Sequence, residues 1–330
     1  MFKGKNGINL LLAVLLCAVS VSALCIGRYT MNPLDVFRSA VHYGENSALD
    51  TVIWSVRLPR IIMAAAVGSG LSVAGLSLQA MFGNPLVSAH VLGVSYSAGF
   101  GAALGILLFS NFAIVETSSL LFGLVGMALT YRLSKRKGGR STLTLVLSGI
   151  IVGAAFEALT SLIKFVADPE SKLPTITYWL MGSMSGASYK TLLLGLPFIV
   201  TGTLIIFALR WRLNILSLNE DEARSMGMNI RVMRFLVIVA SSLITASAVS
   251  MCGSIGWVGL LVPHMARMLM GSNNRTVIPI SISLGSVFVI VIDTFARSMS
   301  AAEIPISILT AVIGAPFFIA LLRKTGGSWT

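Results

Sequence analysis

Few residues in this 330-residue chain could carry chemistry, and most of them sit among apolar neighbours. Glu157 lies in the middle of an apolar run from 143 to 166. A carboxylate at that depth is expensive in lipid. It marks either a functional path or a protonated or hydrogen-bonded group between helices. Asp293 and Arg297 are four residues apart, the spacing of a local ion pair on one helix face. His264 follows Pro263 with no second ligand in view, which suits helix-end packing better than metal binding; His90 and His42 say no more. The 15 Met residues could offer thioethers to a soft metal. They are scattered, as flexible packing residues are. Cys17, Cys25 and Cys252 are an odd set in apolar runs, without CxxC spacing, which argues against a disulfide framework or a thiolate metal site.

Nucleotide hydrolysis has no machinery here. GxxxxGK[ST] is absent, and Gly138-Gly139-Arg140-Ser141-Thr142 has the wrong spacing and no Lys. No HExxH, GxSxG or paired-carboxylate pattern appears either. An enzyme is therefore not expected, and the chain itself is expected to hold no cofactor or metal.

The elements that position these residues are apolar. Hydrophobic residues make up 55% of the chain and charged residues only 11%, with a mean hydropathy of +0.88. Soluble domains carry about 25% charged residues, so lipid must solvate most of this surface. Apolar stretches predict spans at 8–27, 58–80, 91–110, 114–133, 143–166, 190–209, 233–252, 255–270, 277–296 and 304–322. Each is near the ~20 residues that a bilayer needs. The eighth is short and interrupted by Gly253, Gly256, Gly259 and Pro263, and broken segments of this kind line a cavity or a subunit contact. The run from Ile8 to Ile26 follows Lys3 and Lys5 as a secretory signal would. It is long for that and lacks a small-x-small cleavage site, so it is read as the first span.

The net charge of +12 reflects Lys and Arg between the apolar runs. With the N-terminus inside, sixteen of the 24 fall on the cytoplasmic side and eight outside. This predicts both termini inside and leaves no case for nucleic acid. Two connections are long enough to have a task. Residues 28–56 lie outside and predict a short surface helix. Residues 210–232 lie inside, where Asn219 as N-cap, Glu220, Asp221 and Glu222 in the first turn, and Gly227 as a stop predict a short exposed helix. Arg57-x-x-Arg60 and Arg231-x-x-Arg234 open the second and seventh spans, which run in opposite directions. That hints at an inverted repeat.

Three stretches resemble the FecCD-type permeases of ABC importers: 57–93 (RLPRIIMAAAVGSGLSVAGLSLQAMFGNPLVSAHVLG), 179–188 (WLMGSMSGAS) and 253–267 (GSIGWVGLLVPHMAR). Asp293 to Arg297, Glu303-Ile304-Pro305 and Gly314-Ala315-Pro316 follow in family order. The resemblance implies an all-α polytopic permease of about ten transmembrane helices with an ABC importer type II fold, in a bacterial or archaeal plasma membrane. It implies a second permease copy, two cytoplasmic ATPase subunits that hold ATP and Mg, and a periplasmic or lipid-anchored binding protein. By the same match, Arg57, Arg60 and Arg297 would dock acidic residues of the binding protein. Residues 213–230, with Glu220, Glu222, Arg224 and Gly227, would couple to the ATPase. Asn84, Pro85, Leu86, Ser141 and Thr142 would form a cytoplasmic gate, and Glu157, Gly182, Ser183 and Met184 would lie along the translocation path. The expected cargo is an iron chelate, with haem, cobalamin or an oxyanion such as molybdate as alternatives. The rival class is an ATP-independent secondary transporter, which would need coupling carboxylates inside the bundle.

Overall fold

The computed structural model describes residues 5–27, 29, 31–41, 47–109, 111–135, 141–300 and 302–325. Among the described residues every regular element is helical. Helix α1 (Lys5–Cys25) crosses first, and the amphipathic α2 (Pro33–Val41) follows as the expected outer surface helix. The short α3 (Ser47–Asp50) passes through a π-helical turn, Thr51–Arg57, straight into α4 (Leu58–Phe82). The second span is therefore longer than 58–80 and absorbs much of the expected outer connection. A 3-10 turn (Ala89–Leu92) leads to α5 (Val94–Leu108), α6 (Phe112–Leu133) and α7 (Thr142–Val166). Next come the outer α8 (Lys172–Leu180), α9 (Tyr189–Leu209) and two short inner helices, α10 (Arg212–Leu216) and α11 (Glu220–Ser225). Helices α12 (Ile230–Cys252), α13 (Val258–Met270), α14 (Asn274–Ser298) and α15 (Ile306–Thr325) complete the chain.

Seven of these helices are long and apolar enough to cross a membrane. The shorter apolar helices at Val94–Leu108, Val258–Met270 and Ile306–Ala320 occupy the expected third, eighth and tenth spans. Ten crossings return the chain to the side on which it began.

Local sequence explains the ends. The Asn111, Ser188 and Asn229 side chains each accept a backbone N–H in the first turn of α6, α9 and α12. Ser141 and Thr144 form a reciprocal capping box on α7. Gly253 ends α12 with φ +71°, where an L side chain would be strained. The break expected around the eighth span lies at 253–257, just ahead of α13, and Pro263 does not interrupt the helix. Lacking an N–H, Pro263 cannot bond the Gly259 carbonyl. The Gln79 side-chain amide donates to that oxygen instead, at 3.3 Å.

Helices α4, α12 and α14 form the centre. In the most apolar stretch of each span, 78% of the residues of the second and seventh spans and 67% of the ninth are buried, against 11% of the first. Helix α4 packs on α9, α12, α13 and α14. Lipid gives apolar side chains no reason to leave it, so close backbone approach drives such packing. A Cβ at Gly68 would lie 2.2 Å from the Gly285 carbonyl oxygen, and one at Gly75 only 1.8 Å from that of Gly259. Buried hydroxyls add short links, as between Ser77 and Ser241 at 3.0 Å across α4 and α12.

Candidate functional site: a charged outer pocket and an inner helical platform

The outer ends of α1, α4 and α14 converge on one charge cluster. Arg57 closes the π turn, Arg60 sits in the first turn of α4, and Arg297 ends α14; all three are buried. Arg60 uses both edges of its guanidinium. Its Nε and Nη2 donate to Asp293 at 2.9–3.0 Å, and its Nη1 and Nη2 donate to Glu303 at 2.9 Å. Arg57 donates to the carbonyls of Leu24 and Tyr29, and Arg297 to that of Ala23. Arg297 Nε lies 3.8 Å from Asp293, so the i,i+4 pair expected from sequence is present but is the weaker contact of this carboxylate. Among the described residues three cations face two carboxylates here, leaving one positive charge. A pocket of about 190 Å³ opens here, lined by Arg57, Arg60, Arg297, Glu303 and Tyr29 among others.

Sequence reading placed the three arginines together at the outer ends. It read them as outward-facing groups that pair with the binding protein's carboxylates; in the structure two internal carboxylates take both edges of Arg60. It missed Glu303 as a partner. The signal was the short span between Asp293 and Glu303, which returns the chain to the same helix end.

At the inner end, α10 and α11 form a platform. Leu213, Ile215, Leu216 and Ala223 are buried beneath it. The Asn214 amide donates to Asn273 Oδ1 at 3.0 Å, and Asn214 Oδ1 accepts the Asn274 N–H at 2.8 Å, so α10 is tied to the turn before α14. Asn219 stands at the N-cap of α11 but its side chain makes no cap bond. Gly227 provides the predicted stop, with φ +77°. Glu220 pairs with Arg234 at 2.6 Å and Arg224 at 3.4 Å. It therefore fastens α11 to α12, while Asp221 and Glu222 stay exposed. A groove of about 1360 Å³ runs between this platform and the inner ends of α4, α6 and α7. It brings Ser141 and Thr142 together with Glu220, Arg224 and Gly227. Asn84, Pro85 and Leu86 form a separate turn in which Asn84 Oδ1 accepts the Leu86 N–H at 2.9 Å; they do not line the groove.

The two arginine pairs occupy opposite ends of antiparallel central helices. Arg60 meets Asp293 and Glu303 outside, and Arg234 meets Glu220 inside.

The residues expected along a path separate. Glu157 projects from the exposed face of α7, beside exposed Ile150, Ile151 and Leu162. Gly182, with φ +76°, turns the chain after α8, and its carbonyl accepts the Ile306 N–H at 3.0 Å. Ser183 N–H donates to Cys252 O at 2.9 Å. Met184 is fully buried, so it supports this turn from below and faces no open space. His264 packs against Phe317 and Phe318 of α15, each with ring centroids 6.3 Å apart. Sequence reading also missed Glu116, a buried carboxylate in the outer half of α6.

Comparison with known proteins agrees with this arrangement. The FecCD transport family model matches residues 11–324. A molybdate import system permease of Haemophilus influenzae is 42% identical over 320 residues, covering 95% of this chain and 94% of that protein. An iron chelatin transport system permease of Helicobacter pylori is 38% identical over 318 residues, covering 96% of each. A solved ABC transporter of the metal-chelate type, in an inward-facing conformation, superposes with a TM-score of 0.88 at 41% identity, covering 96% of this chain and 99% of that one. The chain belongs to the FecCD transport family and is a multi-pass membrane permease subunit of an ABC importer.

Proposed function

We propose that two copies of this chain form the pathway of a binding-protein-dependent importer, driven by two separate cytoplasmic ATPase subunits that hold ATP and Mg. A loaded binding protein docks on the outer arginine pocket. ATP-driven closure of the ATPases moves the platform of α10 and α11, and the groove beside Ser141 and Thr142 carries that motion to the inner gate. The permease performs no covalent chemistry.

The observation that carries this reading is the pairing of two built ends with one uncovered face. The outer end presents a net positive pocket, suited to carboxylates because the arginine fork binds them in bidentate fashion. The inner end presents a fixed helical platform on which Asp221 and Glu222 are exposed. Between them, Glu157 projects from the face of α7 that the chain leaves exposed. A carboxylate turned to lipid at mid-span is costly. Covering this face with the second copy, around a central path, removes that cost. The secondary-transporter alternative would need carboxylates gathered in the bundle. Glu157, the candidate the sequence offered for that role, faces away from it, and Glu116 is the buried carboxylate of α6.

For cargo, an iron chelate remains the first reading. The iron chelatin permease above and a Fe(3+)-citrate import permease of Bacillus subtilis, 35% identical, support it. The 42% identity to the molybdate permease supports a tetrahedral oxyanion as the second. Calorimetric titration of the cognate binding protein with ferric siderophore, ferric citrate, haem, cobalamin and molybdate tests both. Retention of a ferric chelate upholds the first reading, and selective retention of molybdate overturns it in favour of the second. For the assembly, charge reversal at Arg57 or Arg297 should weaken docking, more so at low salt. Unchanged affinity would remove the pocket from the mechanism.

A further inference from the structure

We infer that Glu303 is an internal stand-in for the docking partner's carboxylate. It holds the outer edge of the Arg60 guanidinium until an acidic side chain of the partner takes its place. This rests on the proposed docking at the arginine pocket and adds to it the exchange by which docking is sensed.

The geometry separates the two internal carboxylates. Asp293 holds the Nε and Nη2 edge of Arg60 with a side chain only 3% exposed. Glu303 holds the Nη1 and Nη2 edge with a side chain 27% exposed, and it lines the outer pocket. With both bidentate edges filled, an incoming carboxylate can take a bidentate edge of Arg60 only by displacing one of them. Asp293 is closed off by α4 and α14. Glu303 sits on the non-helical connection between α14 and α15, at the rim of the outer pocket. The arginine left over in the charge count gives an incoming anion a reason to enter, since among the described residues three cations meet two carboxylates here.

The displaced residue is wired to the inside of the protein. Ile304 N–H donates to Ala296 O at 3.1 Å, and Ile306 N–H donates to Gly182 O at 3.0 Å. Ser307 Oγ donates to the Met181 carbonyl. Ser183 N–H in turn donates to Cys252 O, at the end of α12. A shift of Glu303 therefore pulls on the start of α15, the Gly182 turn and the end of central helix α12 together. Substrate-free contact with the outer pocket would reach the bundle through these bonds, without any contact to the cargo.

The test is binding of the purified cognate binding protein to the assembled transporter in lipid nanodiscs. While Glu303 occupies Arg60, apparent affinity is reduced by the fraction of time the edge is taken. Glu303→Gln should bind the partner about fivefold tighter, the weight of one partly exposed ion pair. Glu303→Asp, which keeps the charge, should stay within about twofold of wild type. In Glu303→Gln, a Ser185→Cys reporter beside the Gly182 turn should react faster with a maleimide before any partner is added. If Glu303→Gln binds equally or more weakly while Arg57→Glu and Arg297→Glu still weaken docking, the exchange is wrong and the docking site stands. If the two arginine reversals have no effect, the docking reading has failed first. Melting of each variant in detergent separates both outcomes from misfolding.

Discussion

Substituting Asp293 by Asn tests whether the outer charge cluster holds the fold together. Asp293 accepts three contacts of 2.9–3.0 Å from Arg60 and is almost fully enclosed between α4 and α14. Asn keeps the shape but removes the charge, and its amide hydrogens face guanidinium donors. Arg60 then keeps only Glu303 as an anionic partner, and among the described residues the cluster's excess rises from one positive charge to two. Breaking a buried pair by removing one partner costs about 3–5 kcal/mol, because the other charge stays buried and uncompensated. Asn can still accept one bond, so the lower end applies, about 3 kcal/mol. At roughly 2 °C per kcal/mol for a large domain, the melting temperature should fall by about 6 °C. Cys252 is a native reporter because it is buried, whereas Cys17 is exposed and Cys25 half-buried. In a Cys17→Ser, Cys25→Ser background, a fluorogenic maleimide reads the unfolding of the bundle in detergent. Glu303→Gln, at a partly exposed site, should cost under about 1 kcal/mol in the same assay. An Asp293→Asn protein that melts within a degree of its parent would refute the claim that this pair is both buried and stabilising.

Other outcomes follow from single contacts. Gly75→Val should prevent the α4–α13 contact and yield aggregated protein on size exclusion, because a Cβ there would sit 1.8 Å from a carbonyl oxygen. Gly83→Ala, with φ +60° and nothing within 4 Å, should cost only about 1 kcal/mol and fold normally. Glu220→Gln should speed hydrogen exchange across 220–225 by releasing α11 from Arg234, with little change in α12. Hydrogen bonds from Ser171 hold the Asp168 carboxyl below the usual carboxylate range. Its support for the start of α8 is therefore present above the ordinary carboxylate pKa and fades as pH falls through the lower folded value. Hydrogen exchange at the start of α8 should speed up only in that acid window, and Asp168→Asn should remove the dependence.

Much of this architecture was legible in the residues. Long apolar runs fixed the spans, since a bilayer demands about 20 such residues. Asn219 was expected to cap α11 and stands at its N-cap without a side-chain bond, whereas the residues that do cap α6, α7 and α12, Asn111, Ser141 and Asn229, were not singled out as caps. What stayed hidden was tertiary. Periodicity cannot show that Arg60 turns inward, because its partners lie 233 and 243 residues away. The π turn at Thr51–Arg57 and the left-handed Trp257 (φ 68°) have no local signature that hydropathy detects. Glu220 is the exposed first-turn acid that its position predicts, but its pairing with Arg234 on the next helix has no local signature. Met184 looked like part of a small polar stretch, yet its bulk fills the space beneath the Gly182 turn.

The central claim is that an external ATPase drives this permease through the inner platform. Affinity purification of the tagged chain from its native membrane tests that claim most directly. The account predicts that a Walker-motif ATPase co-purifies. It should be lost when Asp221 and Glu222 are both changed to Lys, and retained when Arg57 is changed to Glu. Absence of any ATPase, or its full retention after residues 213–230 are replaced by a Gly-Ser linker in a protein that still folds, would contradict the account.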